Sequence, residues 1–143
     1  MKKDNLIWVF LSLGGFFGGT AVLLSAWGAH GLESSFMETP TDRFSFNFAT
    51  DLQLLHSLLL VSVALFLNLG KCRSNLLLAS CIFLILGILL FSLPIYTRII
   101  WNYSEISKLT PFGGVCFFLG WSLISAFSIL NIFCSKVLIK PES

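Results

Sequence analysis

The chain has 143 residues, of which 56% are hydrophobic and 11% are charged, and its net charge is +2. Soluble domains carry about 25% charged residues, so this composition excludes a soluble globular protein. The small net charge and the scattered basic residues also exclude a nucleic-acid-binding groove, which requires a clustered basic surface.

Four long apolar runs occupy most of the chain, at about residues 6–28, 48–69, 76–97 and 112–133. A hydrocarbon core about 30 Å thick requires about 20 apolar residues in a helix that rises about 1.5 Å per residue. Each run is therefore long enough to cross a bilayer. The sequence predicts an all-α integral membrane four-helix bundle that forms a single domain over residues 1–143.

The first loop contains a short pattern that is typical of a helix start. Thr39 is a suitable capping residue, Pro40 suits the first helical position, and Asp42 is favourable near the positive end of a helix dipole. We expect a short interfacial helix here that turns into the second span.

The distribution of basic residues predicts the orientation in the membrane. Six of the nine Lys and Arg residues lie at the two termini and in the loop between the second and third spans, and three lie in the other two loops. Short cytoplasmic loops carry an excess of Lys and Arg. We therefore expect both termini in the cytoplasm.

Small residues follow one face of the first span at steps of four, three, four and three: Gly14, Gly18, Ala21, Ser25 and Gly28. Helices in lipid gain stability when small residues allow their backbones to approach closely. This pattern predicts that the first span is the central packing helix of the bundle. The alternative is a small-residue face that joins two chains. Gly113 and Gly114 predict a similar packing surface in the fourth span.

Polar residues at the start of the second span are the candidate functional residues. Gln53 and His56 lie about one turn apart on the same helical face. Ionisable groups within spans usually face the bundle interior. His56 is interpreted either as a neutral histidine bonded to a neighbouring helix or as a ligand, proton or cofactor site. His30 and Asp51 fall near the same end, where the four residues make a conceivable metal or proton site.

No established chemical motif supports an enzyme. The sequence has no nucleophile elbow, phosphate-binding loop or zinc-peptidase motif, and its four cysteines form no C-x-x-C pair. The spacing of the two histidines matches no metal motif. We therefore expect no catalytic residue, no metal and no cofactor.

Several motifs resemble one family along nearly the whole chain. Residues 26–32, Ala-Trp-Gly-Ala-His-Gly-Leu, resemble its G-A-F-G-A-H-G-L signature, and residues 48–57 resemble F-x-T-A-x-x-Y-Q-x-x-H-A. Residues 87–96 are similar to G-x-x-L-F-S-G-S-L-Y, and residues 109–121 to I-T-P-x-G-G followed by G-W. The family is that of domain of unknown function 423, also called the UPF0382 membrane proteins, which is related to transmembrane protein 256.

The resemblance implies a four-span protein of the bacterial inner membrane with no established activity. The sequence departs from the family pattern in the third span, where Leu93 and Pro94 replace Gly and Ser. It also has Leu52 and Ser57 where the family has Tyr and Ala in the second span. The positions that match the family motifs are His30, Gln53, His56, Thr110, Pro111 and Gly113.

Three functions are compatible with these residues. The first is a non-enzymatic membrane protein that acts through contacts with membrane lipid, with further copies of itself or with other membrane proteins. The alternative is an oligomeric transporter or channel for a small solute or protons, with Gln53 and His56 lining its path. A redox or quinone-binding protein depends only on His30 and His56.

Overall fold

The computed structural model describes residues 3–69 and 74–138 of the chain, and within them the regular structure is entirely helical. The prediction of an all-α fold is confirmed. The helices, in chain order, are α1 (Lys3–His30), α2 (Glu33–Glu38), α3 (Pro40–Leu69), α4 (Asn75–Trp101), a 3₁₀-helix (Glu105–Leu109) and α5 (Thr110–Leu138).

Four of these helices are long and apolar enough to cross a membrane, as the sequence predicts. They are α1, α3, α4 and α5, and their spanning segments are 26 to 30 residues long. A helix of 30 residues is about 45 Å long, which exceeds the hydrocarbon core by several turns. The helices therefore extend beyond the apolar runs, most clearly at the start of α3.

The first loop differs from its prediction. Its short helix is α2, whereas the segment from Pro40 belongs to the continuous helix α3. The reason is tertiary packing at the first turns of α3. Phe46 is fully buried there, with its ring 5.7 Å from that of Phe36 and 5.3 Å from that of Tyr96. These contacts hold the start of α3 against α2 and α4.

The helices pack in the order α1, α3, α4, α5, with α3 also reaching α5 through its side chains. The prediction that the first span is the central packing helix is therefore wrong, because α1 packs mainly on α3, and α3 lies at the centre. A single narrow stripe of small residues permits close approach to one neighbour only. Other faces of α1 carry large exposed side chains, including Phe16 and Leu23.

Glycines bring α1 close to α3. A methyl group added at Gly14 would lie 2.6 Å from Val61 Cγ2, and one added at Gly18 would lie 3.1 Å from Ser57 Oγ. At Gly28, the added methyl group would lie 2.6 Å from the ring of Phe46. Side chains at these positions would push the two helices apart.

The other predicted packing residues divide into buried and open positions. Ala21 is buried, and Gly113 lies directly against the backbone of Leu90 and Phe91 in α4. Ser25 is exposed, and a methyl group at Gly114 would have no atom within 4 Å. The predictions for Ser25 and Gly114 are corrected here, since Ser25 lines an open groove between α1 and α3 and Gly114 faces open space.

Candidate functional site

Gln53 joins three helices in the bundle interior. Its side chain is 4% exposed. Its amide Nε2 donates hydrogen bonds to the backbone oxygen of Phe17 at 2.8 Å and to Thr20 Oγ1 at 2.9 Å, both on α1. The Tyr96 hydroxyl of α4 donates to Gln53 Oε1 at 2.9 Å. One side chain of α3 therefore connects α1 with α4.

The direction of each hydrogen bond around Gln53 follows from chemistry. The Thr20 hydroxyl lies 2.9 Å from the backbone oxygen of Phe16 and 3.0 Å from that of Phe17, and a carbonyl oxygen only accepts. The Thr20 hydroxyl therefore donates to its own helix and accepts from Gln53. This places the amide nitrogen of Gln53 toward α1 and its oxygen toward Tyr96. The nitrogen then donates two hydrogen bonds and the oxygen accepts one.

His56 lies one turn further along α3 and is held on three sides. Its Nδ1 lies 2.7 Å from the backbone oxygen of Leu52, and its Nε2 lies 3.3 Å from Trp121 Nε1 on α5. The ring of Phe117 stacks on the imidazole at a centroid distance of 3.6 Å and an angle of 12°. His56 therefore fixes α5 against α3.

The same contacts assign the tautomer of His56. The Leu52 carbonyl only accepts, so Nδ1 carries the hydrogen, and the indole N–H of Trp121 only donates, so Nε2 accepts. A second hydrogen on Nε2 would face the indole N–H of Trp121. Both ring nitrogens are thus occupied in the neutral imidazole, and neither has a free lone pair for a metal ion or a passing proton.

Two buried serines extend this pattern of interhelical bonds. Ser92 Oγ of α4 donates to the backbone oxygen of Ala49 in α3 at 3.0 Å, and Ser80 Oγ donates to that of Gly120 in α5 at 2.9 Å. Hydrogen bonds between membrane-spanning helices are worth about 0.6–1.7 kcal/mol each. Each pair of neighbouring helices in the bundle is therefore joined by at least one such bond.

His30 and Asp51 lie apart from Gln53 and His56. Both are exposed, His30 as the last residue of α1 and Asp51 on the edge of a surface groove between α1 and α3. The structure does not bring the four predicted polar residues into one site. Among residues 3–69 and 74–138, no three His, Cys, Asp or Glu side chains are placed to hold a metal ion.

The sequence identified Gln53 and His56 but not their partners Thr20, Tyr96 and Trp121. One signal was present, since Tyr96 and Trp121 both stand in the motifs that resemble the family. A buried amide or imidazole also requires hydrogen-bond partners. However, the sequence contains many more hydroxyl groups than Gln53 and His56 can bond to. Only the arrangement of the helices decides which of these groups become their partners.

Comparisons with known proteins find relatives that are named membrane proteins. A family model described as "Protein of unknown function (DUF423)" matches residues 24–114. The chain is also 32% identical over 118 residues to UPF0382 membrane proteins from two strains of Staphylococcus epidermidis, covering 81% of this chain and 91% of each relative. No solved structure matches the chain. The matched segment includes Gln53, His56 and Tyr96.

Proposed function

This chain belongs to the DUF423 family of membrane proteins of unknown function, and we propose that it acts without catalysis, through contacts with membrane proteins or lipids. Its proposed location is the bacterial inner (cell) membrane, with both termini in the cytoplasm. The observation that supports this proposal is that the hydrogen bonds of the buried polar side chains join the helices to one another.

The hydrogen bonds of Gln53 and His56 argue against a transport path through one chain. Each side chain is only 4% exposed, and each polar atom of the two side chains already has a partner on a neighbouring turn or helix. A solute or proton path needs polar groups that exchange partners with the cargo. Here such an exchange would break the bonds that join α3 to its neighbours.

Flux through proteoliposomes tests this proposal. Vesicles that contain the purified protein should dissipate an imposed proton gradient at the rate of protein-free vesicles. His56→Phe vesicles serve as the matched control, since phenylalanine retains an aromatic ring without the nitrogens. Faster dissipation by the natural protein that is lost in His56→Phe would overturn the proposal and favour a proton path.

Thiol labelling tests the proposed orientation. In a variant without its native cysteines, we expect Glu105→Cys to react with a membrane-impermeant maleimide in intact cells. Glu105 begins the exposed 3₁₀-helix between α4 and α5. A cysteine at Lys2 should react only after the membrane is permeabilised. The reverse labelling pattern would contradict the orientation that the distribution of Lys and Arg predicts.

A further inference from the structure

A groove opens on the outer side of the bundle between α1 and α3. Its volume is about 340 Å³. Most of its lining consists of small or apolar side chains, those of Ala21, Val22, Ala26, Ala29 and Leu54. Ser25 of α1 and Asp51 of α3 also line it, and both of these polar residues are exposed. The groove therefore presents a hydroxyl group and a carboxyl group on a surface that faces the bilayer.

Asp51 lies in the middle of the face of α3 that points away from the bundle. The residues seven and three positions before it, Phe44 and Phe48, and those four and seven positions after it, Leu55 and Leu58, share this face and are 47% to 73% exposed. Ionisable side chains within spans almost always face the bundle interior or a water-filled cavity. Asp51 instead interrupts an apolar surface.

The polar groups of Asp51 and Ser25 have no hydrogen-bond partner among residues 3–69 and 74–138. The carboxyl group of Asp51 also forms no ion pair there, whereas Asp42 on the same helix pairs with Arg98. Three other serine hydroxyl groups in the spans donate to the backbone oxygen four residues earlier, those of Ser62, Ser122 and Ser128. The Ser25 hydroxyl makes no such bond. Both groups that line the groove are thus free to bind another molecule.

Contacts between α1 and α3 set the depth of the groove. Gly28 lies against Phe46, and Gly18 lies against Ser57. Asp51 is about midway between these two α3 residues, so it is level with the middle of the α1 segment between the two glycines, where the groove serine also lies. At about 1.5 Å per residue, this level is about 10 Å deeper than the last residue of α1. The carboxyl and hydroxyl groups therefore face the same point in the membrane.

The described part of the chain has no basic side chain at this level. Arg43 lies eight residues before Asp51 on α3, which is about 12 Å further out, and Arg98 already pairs with Asp42. A second copy in the same orientation keeps each residue at its own depth, because the symmetry axis lies along the membrane normal. A further copy therefore brings no Lys or Arg to Asp51, and a charge complement must come from a different molecule.

We propose that the groove binds a membrane-spanning helix of a different protein, whose Lys or Arg side chain pairs with Asp51 and bonds to Ser25. This proposal rests on the proposed function, because it specifies the kind of membrane protein that the chain contacts. A charged nitrogen donor satisfies a carboxylate with short, strong hydrogen bonds. The small side chains of Ala26 and Ala29 allow the backbone of a neighbouring helix to approach closely.

The depth of Asp51 favours a helix over a lipid headgroup. The ammonium group of a lipid belongs to the headgroup region, outside the hydrocarbon core. Asp51 lies within the second apolar run, which begins at about residue 48. A helix can carry a basic side chain at this depth, because its position in the partner's sequence sets its level in the membrane.

Energy transfer to a designed peptide in phosphatidylcholine vesicles tests the charge pair. The probe is a membrane-spanning helix of Leu and Ala with one Lys about 10 Å from its outer end, and the matched peptide has Leu at that position. We expect the natural protein to bind the Lys peptide about tenfold more tightly or better. Asp51→Asn should bind both peptides equally, with unchanged thermal unfolding. Glu105→Gln is the control, since it removes an exposed carboxyl group far from the groove and should keep the preference.

Three results would overturn the proposal. The first is equal binding of the two peptides by the natural protein, and the second is a preference for the Lys peptide that persists in Asp51→Asn. The third is loss of Lys-peptide binding when phosphatidylethanolamine replaces phosphatidylcholine, which would assign the groove to a lipid ammonium group. Energy transfer between labelled copies of the protein itself that disappears in Asp51→Asn would likewise assign the groove to a second copy.

Photo-cross-linking in native membranes tests the natural partner. In a variant without its native cysteines, Ala26→Cys is labelled with a benzophenone maleimide. We expect it to capture a protein with a Lys or Arg in the outer half of a span, and Asp51→Asn should abolish this capture. Asp51→Lys combined with replacement of that basic residue by Asp should restore it. No captured protein, or one without a basic residue in that half of a span, would contradict the proposal.

The flux and peptide results separate the two proposals. Equal binding of the two peptides together with vesicles that do not leak would reject the partner helix and leave the proposed function standing. A His56-dependent leak would reject the proposed function, whatever the peptide result.

Discussion

The adjacent glycines Gly113 and Gly114 at the start of α5 provide a direct test of how the bundle is held together. A methyl group at Gly113 would lie 2.7 Å from the backbone carbon of Leu90 and in contact with the backbone of Phe91. A methyl group at Gly114 would lie in open space. We expect Gly113→Ala to destabilise the protein and Gly114→Ala to leave it unchanged or slightly more stable.

The magnitude follows from two opposing terms. Replacement of glycine by alanine within a helix gains about 1 kcal/mol of propensity, and both variants share this gain. Overpacking costs about 1–3 kcal/mol, and Gly113→Ala meets this cost at a backbone, which cannot rotate away as a side chain does. The difference in free energy of unfolding between the two variants isolates the contact, and we expect it to be about 1–3 kcal/mol.

Reversible unfolding in mixed detergent micelles provides the measurement. The free energy of unfolding is obtained from a titration with sodium dodecyl sulfate, monitored by helical circular dichroism. Each variant is compared with the natural protein, and Gly114→Ala serves as the control for helix propensity. If Gly113→Ala proved as stable as Gly114→Ala, the close backbone contact between α4 and α5 would be refuted.

Three further substitutions test single bonds of the bundle, two of them by the same unfolding titration and one by a chemical shift. Tyr96→Phe removes the hydroxyl that donates to Gln53 and should cost about 0.6–1.7 kcal/mol; no loss would contradict this bond. Trp121→Phe keeps an aromatic ring but removes the donor to Nε2 of His56. The ¹⁵N chemical shift of that nitrogen should therefore move, and an unchanged shift would contradict the assigned tautomer. Arg98→Gln removes the half-exposed ion pair at the end of α4 and should cost less than about 1 kcal/mol, with the loss disappearing in high salt; a larger, salt-independent loss would contradict a surface pair.

The four spans were predictable because the thickness of the bilayer sets a length that the sequence must meet locally. Each apolar run satisfies this length by itself, and each becomes a helix in the structure. The local pattern at Thr39 and Pro40 also predicted that a helix starts at Pro40. The packing of its first turns was not predictable in this way, because it depends on Phe46, which lies between Phe36 and Tyr96. That contact joins residues far apart in the chain, which no local pattern reveals.

The small residues of α1 show the same division. The step pattern predicts that Gly14 and Gly18 share one face of the helix, and both pack against α3. It does not say which face meets α3, or that α1 has only one close neighbour. The structure decides this, with Gly14 and Gly18 against α3 and Gly15 and Gly19 open.

The sequence alone determined that this protein consists of four membrane-spanning helices, because hydropathy is a sum over neighbouring residues and the membrane fixes the required length. It also identified Gln53 and His56 as unusual, because polar groups within lipid must find partners. Only the tertiary structure decided that those partners are Tyr96 and Trp121. A hydrogen bond depends on the order, depth and rotation of whole helices, and these are properties of the assembled bundle rather than of any one segment.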